Sequence, residues 1–211
     1  MRPDIVMSQF KVYGDIYSGN CYKVKLLMSL LEIEHDWVHI DILNGESRTN
    51  EFLARNPNGR VPVLGLPDGR WLFESNAILH FLAQDSCFLP IDPYGHAQVL
   101  QWQFFEQYSH EPYIATSRYI IRYLGSPPDR QADLEARRVW GYAALDVMES
   151  HLEKQDFFVD EHYSIADISL YAYTHVASEG GFSLKPYSNV RNWLRRISQH
   201  PQHVTMEQFA P

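Results

Sequence analysis

Cysteine is nearly absent from this chain: Cys21 and Cys87 are the only two in 211 residues. That is too few for a disulfide framework, so a reducing cytoplasm is the expected compartment. No stretch is apolar for long enough to cross a bilayer, and no membrane association is expected. Met1-Arg2-Pro3-Asp4-Ile5-Val6 is too short and too mixed for a signal peptide. Met7 offers an equally good start, so residues 1–6 are expected to be loosely held. Positive charge is also scarce. Lysine and arginine number 18 against 26 acidic residues, a net charge of -8. This argues against generic nucleic-acid binding, and it means that an anionic ligand must be met by local cations. There are no internal repeats and no low-complexity segments. What is plentiful is apolar material, 45% of residues with 14% aromatic, enough for one compact unit or two small packed domains.

The richest stretch runs from Asn56 to Leu82, NPNGRVPVLGLPDGRWLFESNAILHFL. Asn56-Pro57-Asn58-Gly59 is a turn cluster. Pro67-Asp68-Gly69 separates two apolar runs, Val61 to Leu66 and Trp71 to Phe73, which is a hairpin signal. Glu74-Ser75-Asn76 supplies the cap for a helix whose apolar positions are Ile78, Leu79, Phe81 and Leu82. Pro62 sits at the start of the first run. Proline cannot donate to a strand ladder, so it belongs at an edge, a first position or a bulge. An edge strand with a trans proline fits; so does a cis Val61-Pro62 bond.

Upstream, Phe10-Lys11-Val12-Tyr13 alternates as a first strand. From Cys21 the period becomes helical, with Val24, Leu27, Met28 and Leu31 on one face. Trp37 to Ile40 reads as a second strand and Thr49 to Arg55 as a short helix with Phe52 and Leu53 turned inward. Strand, helix, strand, short helix, hairpin, helix is the thioredoxin-like order, with a mixed sheet covered on both faces. Leu89-Pro90-Ile91-Asp92-Pro93 reads as a linker, and the chain beyond it is helical. Tyr94 to Tyr123 is a long aromatic helix that Pro112 should bend or break. Asp129 to Gln155 is a second, with Leu134, Val139, Ala143, Leu145, Val147, Met148 and Leu152 available for burial. Ser164-Ile165-Ala166-Asp167 resembles a capping box ahead of an apolar run, and Asn189 to His200 is a last amphipathic helix. The expected fold is therefore an α/β thioredoxin-like domain over residues 7–86, a linker over 87–93 and an all-α domain over 94–211.

Gly-Arg-Val-Pro-Val-Leu, a hairpin, then Glu-Ser opening a helix resembles the glutathione-binding half of a glutathione S-transferase. The Ser164–Asp167 box and the helical second half extend the resemblance over nearly the whole chain. It implies a cis-proline whose neighbour Val61 pairs its backbone with the cysteinyl part of glutathione. It also implies that Glu74 and Ser75 hold the γ-glutamyl end. Arg60 stands where the family often has lysine, suited to the glycyl carboxylate. Ser47 falls where theta-like members have histidine, and Arg48 could compensate from the same loop.

The first loop holds Tyr17-Ser18-Gly19-Asn20-Cys21. Ser18 alone reads as an ordinary helix cap. With the downstream motifs, its position matches the catalytic serine of theta-like and zeta-like members, whose hydroxyl steadies the thiolate of glutathione. Asn20 matches an asparagine that contacts the sulfur in some bacterial relatives. Cys21 could face the sheet and be inert. Tyr13 matches a strand tyrosine of serine-type members.

The resemblance further implies a second-substrate pocket between the domains, with Tyr17, Tyr108, Tyr113 and Ser117 as candidate lining. It implies a cytosolic homodimer using glutathione as co-substrate and no metal. The expected activity is detoxifying attack of the bound thiolate on a hydrophobic electrophile. The alternatives are a glutathione-dependent disulfide reductase or peroxidase, and a non-catalytic interaction protein.

Overall fold

A computed structural model describes residues 9–208. The expectation for residues 1–6 falls outside them. The chain divides into two compact units, residues 9–82 with 204–208, and residues 83–203.

The first unit is a four-stranded mixed sheet in the order β2-β1-β3-β4, where β1 is Phe10–Gly14, β2 His35–His39, β3 Val63–Gly65 and β4 Trp71–Phe73. Strand β2 runs parallel to β1 in the register Phe10↔His35, which requires a crossover, supplied by α1 (Gly19–Leu30). Strands β1 and β3 are antiparallel, with Val12 opposite Leu64. The β3–β4 hairpin is closed by Leu66 N–H donating to the Arg70 carbonyl at 2.9 Å, with Gly69 at φ 86° in a conformation that favours glycine. A Cβ on Gly14 would stand 2.8 Å from Cys21 Sγ, so that face of β1 lies against α1. Alternation turns Tyr13 to the other face, where it packs with Ile40, Phe52 and Val63. Phe52 belongs to the short α2 (Asn50–Leu53), capped by Thr49. The last element of this stretch, α3 (Ser75–Leu82), packs beside α1. Ile78, Leu79 and Leu82 are buried as expected, but Phe81 is 41% exposed, because it points off the helix face that meets α1. Leu53, expected inside, is only partly covered. Residues 204–208 return to this unit: Tyr22 Oη donates to the Val204 carbonyl at 2.8 Å and Lys25 Nζ to the Met206 carbonyl at 3.0 Å.

The second unit is helical. Helix α4 (Pro93–Phe105) passes through a π turn, Glu106–His110, into α5 (Glu111–Arg118). Pro112 thus stands in the first turn of α5, where its missing N–H is tolerated. Helix α6 (Gln131–Leu152) buries Leu134, Leu145, Met148 and Leu152, but Val139, Ala143 and Val147 face outward. Those three lie off the stripe that Leu134, Gly141, Leu145, Met148 and Leu152 define at helical spacing. The capping box is present at the head of α7 (Ile165–Thr174), a helix buried along its whole length. Asp167 accepts from Ser164 N–H, Ser164 Oγ, Phe158 N–H and, at 2.9 Å, from Trp193 Nε1 on α8 (Ser188–Ser198).

His175 follows α7 and stacks on Tyr171. Burial, with the nearby Arg118 charge adding to it, pushes its pKa down to about 4. Above about pH 6.5 the ring is neutral folded and unfolded and adds no pH dependence. Between about 6.5 and 4 the unfolded chain binds a proton that the folded chain refuses, so stability falls by roughly 3 kcal/mol in all. Asp167, raised to about 6 by burial, acts in the opposite sense over the same interval. The difference in thermal midpoint between wild type and His175→Gln, followed from pH 7 to pH 4, isolates the histidine. It is expected to drift against the wild type as pH falls; a constant difference would show that the ring titrates alike in both states.

Candidate functional site

The candidate residues of the first unit gather on three backbone features. The first is the head of α1. Ser18 is its N-cap, with φ -77° and ψ 121°, and its Oγ accepts from Cys21 N–H at 3.4 Å. That long contact uses an acceptor lone pair, which leaves the hydroxyl its O–H as a donor at the head of the helix. The loop before it is shaped by Asp15, buried, whose Oδ1 accepts from Tyr17 N–H at 2.7 Å while its carbonyl accepts from Ser18 N–H. Cys21 is fully buried, and burial pushes its thiol up to about 12 even though the Ser18 hydrogen bond pulls the other way. At neutral pH it is a thiol, inert as a nucleophile.

The second feature is the turn before β3. The Val61-Pro62 bond is cis, as the motif implies, with Pro62 buried and Val61 half-buried. Asn56 builds this turn. It is almost fully buried, its Nδ2 donates to the Arg60 carbonyl at 2.8 Å and its Oδ1 accepts from Asn58 N–H at 3.0 Å. Arg60 itself is exposed, and its guanidinium has no partner among the described residues. Arg48 is placed differently: Nη1 donates to the Asn58 carbonyl at 3.0 Å, and a Cβ on Gly59 would stand 2.5 Å from it. Gly59 is required there twice over, by that approach and by its φ of 62°. Ser47 is buried beside the same turn.

The third feature is the head of α3. Ser75 Oγ donates to Asn20 Oδ1 at 3.2 Å, which ties the starts of α1 and α3 together. Both helices therefore present their partial positive ends side by side. Glu74, just before α3, has φ 68°, a left-handed conformation that a glutamate adopts only at a cost of about 1–3 kcal/mol. Its carboxylate is exposed and has no partner among the described residues. The arrangement thus offers one uncommitted cation, one uncommitted anion, a hydroxyl donor and paired helix N-termini.

Sequence reasoning missed Asp15 and the role of Asn56. The signal for both was present, since Asp and Asn bond backbone two residues on in turns. Of the remaining candidates, Tyr17 is 43% exposed in the first unit. In the second, Tyr108 is 82% exposed in the π turn, and Tyr113 stacks on Trp140 with ring centroids 6.3 Å apart. Ser117 is fully buried in α5, and its Oγ has no hydrogen-bond partner. Trp102 packs internally against His151 and Phe158.

Fold and site together define a thioredoxin-like half followed by a helical half, with a cis-proline and serine-capped first helix. Residues 17–85 match the N-terminal domain of glutathione S-transferases and residues 102–201 their C-terminal domain. The chain belongs to the glutathione S-transferase family. It is similar to the crystal structure of a glutathione S-transferase from Pseudomonas fluorescens Pf-5. That likeness has a TM-score of 0.94 and 56% identity, over 95% of this chain and 100% of that one. It is 28% identical to the disulfide-bond oxidoreductase YfcG of Escherichia coli K12, over 89% of this chain and 91% of that protein. It is 36% identical to elongation factor 1-gamma of Carassius auratus over 74% of this chain, but spans only 35% of that longer protein. No helix among the described residues is long and apolar enough to cross a membrane.

Proposed function

We propose that this chain is a glutathione transferase in which Ser18 holds bound glutathione as its thiolate for attack on a hydrophobic electrophile. The observation that carries the proposal is the Ser18 hydroxyl at the N-cap of a 12-residue helix. A donor there favours the charged sulfur, and the helix N-terminus favours it further. The resemblance supplies the remaining roles. Val61, preceding the cis-proline Pro62, pairs with the cysteinyl backbone. Ser75 and the head of α3 receive the γ-glutamyl carboxylate, Glu74 the ammonium and Arg60 the glycyl carboxylate, with Asn20, Ser47 and Arg48 shaping the rim.

Glu74 and Arg60 suit these tasks because neither spends its charge within the described protein. Glu74→Gln and Arg60→Ala are each expected to weaken glutathione binding by about 1–3 kcal/mol, roughly five- to a hundred-fold. Calorimetry checks this, and unchanged affinity in both variants would place the ligand elsewhere. Retention on immobilised glutathione, followed by assays with electrophiles, disulfides and peroxides, tests the reaction class. A second reading, glutathione-dependent disulfide reduction, draws support from the likeness to the Escherichia coli oxidoreductase. It uses the same thiolate, so the panel separates it from conjugation. Absence of turnover with every acceptor would favour a binding role.

We also propose that the protein works as a homodimer in the cytoplasm. The helical unit exposes Tyr94, Phe104, Val139 and Trp140, large apolar side chains that a second copy of the chain would cover. Sedimentation at micromolar concentration is expected to give twice the chain mass of 24.6 kDa; a monomer would count against it.

A further inference from the structure

The sheet face turned away from α1 carries a cavity of 410 Å³ between the strands and α2. Its floor is apolar, formed by Tyr13, Ile40 and Phe52; its rim carries Glu46, Glu51 and Arg55. A volume of this size is within the range of small-molecule sites.

The polar groups are unevenly committed. Tyr13 is more than nine-tenths buried, yet its hydroxyl has no hydrogen-bond partner among the described residues. The Arg55 guanidinium lies over the Tyr13 ring at 4.7 Å and the Trp71 ring at 5.3 Å. Trp71 is in turn laid flat on Gly65, where a Cβ would stand 2.8 Å from its ring. The arginine is therefore held in place by aromatic faces. Of its five N–H groups only one is engaged by a carboxylate, Glu51 Oε1 at 2.6 Å. Each rim carboxylate has one oxygen engaged: Glu51 Oε1 by Arg55, and Glu46 Oε2, which accepts from Asp41 N–H at 2.7 Å. The cavity thus offers two kinds of unspent donor above an aromatic floor, the Tyr13 hydroxyl and the remaining N–H groups of Arg55.

We propose that this cavity binds a small aromatic carboxylate, its ring on Phe52 and Ile40 and its carboxylate accepting from Tyr13 Oη and Arg55. The planar guanidinium suits a carboxylate, and a rigid ring matches the Phe52 and Tyr13 surfaces. The site is independent of Ser18, since Tyr13 points to the sheet face opposite the one that meets Cys21 and α1.

The probe is 2-naphthoate, titrated by calorimetry into the full-length protein with and without saturating glutathione. Binding is expected in both conditions with the same affinity. Tyr13→Phe keeps the ring and removes the donor, and is expected to weaken binding about three- to tenfold; Arg55→Gln is expected to weaken it about tenfold or more. 2-Naphthamide should bind more weakly than the acid. Three results overturn the proposal: no binding of 2-naphthoate up to about 5 mM, equal affinity in wild type and Tyr13→Phe, or displacement by glutathione. Tyr13→Phe is the deciding variant, because it changes no packing volume in the core.

Discussion

Replacing Ser18 by alanine is expected to lower turnover at neutral pH about ten- to a hundredfold while leaving glutathione affinity within about twofold. The reason is where the hydroxyl acts under the proposed mechanism. It meets only the sulfur, whereas the charged ends of the ligand fall to Arg60, Glu74 and Ser75. Loss of a hydrogen bond to a charged group, about 1.5–3 kcal/mol, raises the bound thiol pKa by roughly one to two units. Activity should then recover as pH rises. The variant also loses a helix cap, worth about 1 kcal/mol, so a modest fall in thermal midpoint is expected alongside. Ser18→Thr retains both hydroxyl and cap and should restore most of the rate. The check is the pH dependence of the ultraviolet absorbance of bound thiolate. Cys21→Ala should titrate like wild type, because its buried thiol stays protonated to about pH 12. If Ser18→Ala titrates like wild type and Tyr17→Phe is shifted, the hydroxyl has been assigned to the wrong residue.

The largest stability effect is expected at Asp167→Ala. Four donors converge on this carboxylate, and every one of them is buried. Removing it strands Phe158 N–H, Ser164 N–H and Trp193 Nε1, each of which costs about 1–3 kcal/mol when left buried without an acceptor. A total near 4 kcal/mol would lower the melting midpoint by roughly 8–16 °C for a chain of this size. Asp167→Asn keeps one acceptor oxygen but turns an amide towards the Ser164 N–H, so it should fall between. A midpoint within about 2 °C of wild type for the alanine variant would show that the donors find other acceptors.

The fold was legible because its local signals agree with one another. Alternation in Phe10 to Tyr13, the Pro67-Asp68-Gly69 turn, and the Ser164–Asp167 box each specify an element by themselves, and each is found. Pro112 marks where the long helix departs from α geometry, but not the form of the departure. The π turn at Glu106–His110 buries Glu106 and His110, a tertiary choice that no local pattern encodes. Val139, Ala143 and Val147 failed for the same kind of reason: apolar residues on a helix are available for burial, but neighbours decide which are taken. In the candidate site the motif residues could be named from the sequence. The scaffold under them could not. Asn56 gripping Arg60 through its carbonyl, and Arg48 spent on the Asn58–Gly59 turn, are tertiary arrangements of residues that read locally as loop.

The return of residues 204–208 to the first unit bears on how the chain acquires its structure during synthesis. Residues 9–82 emerge from the ribosome before residues 83–203 and could begin to condense ahead of them. Helix α1 nevertheless donates from Tyr22 Oη to the Val204 carbonyl and from Lys25 Nζ, whose pKa is held down to about 8 by desolvation, to the Met206 carbonyl. Those acceptors arrive only after 121 intervening residues have been translated, the span from Ala83 to His203. Two hydrogen bonds of the thioredoxin-like half thus wait for translation of the helical half.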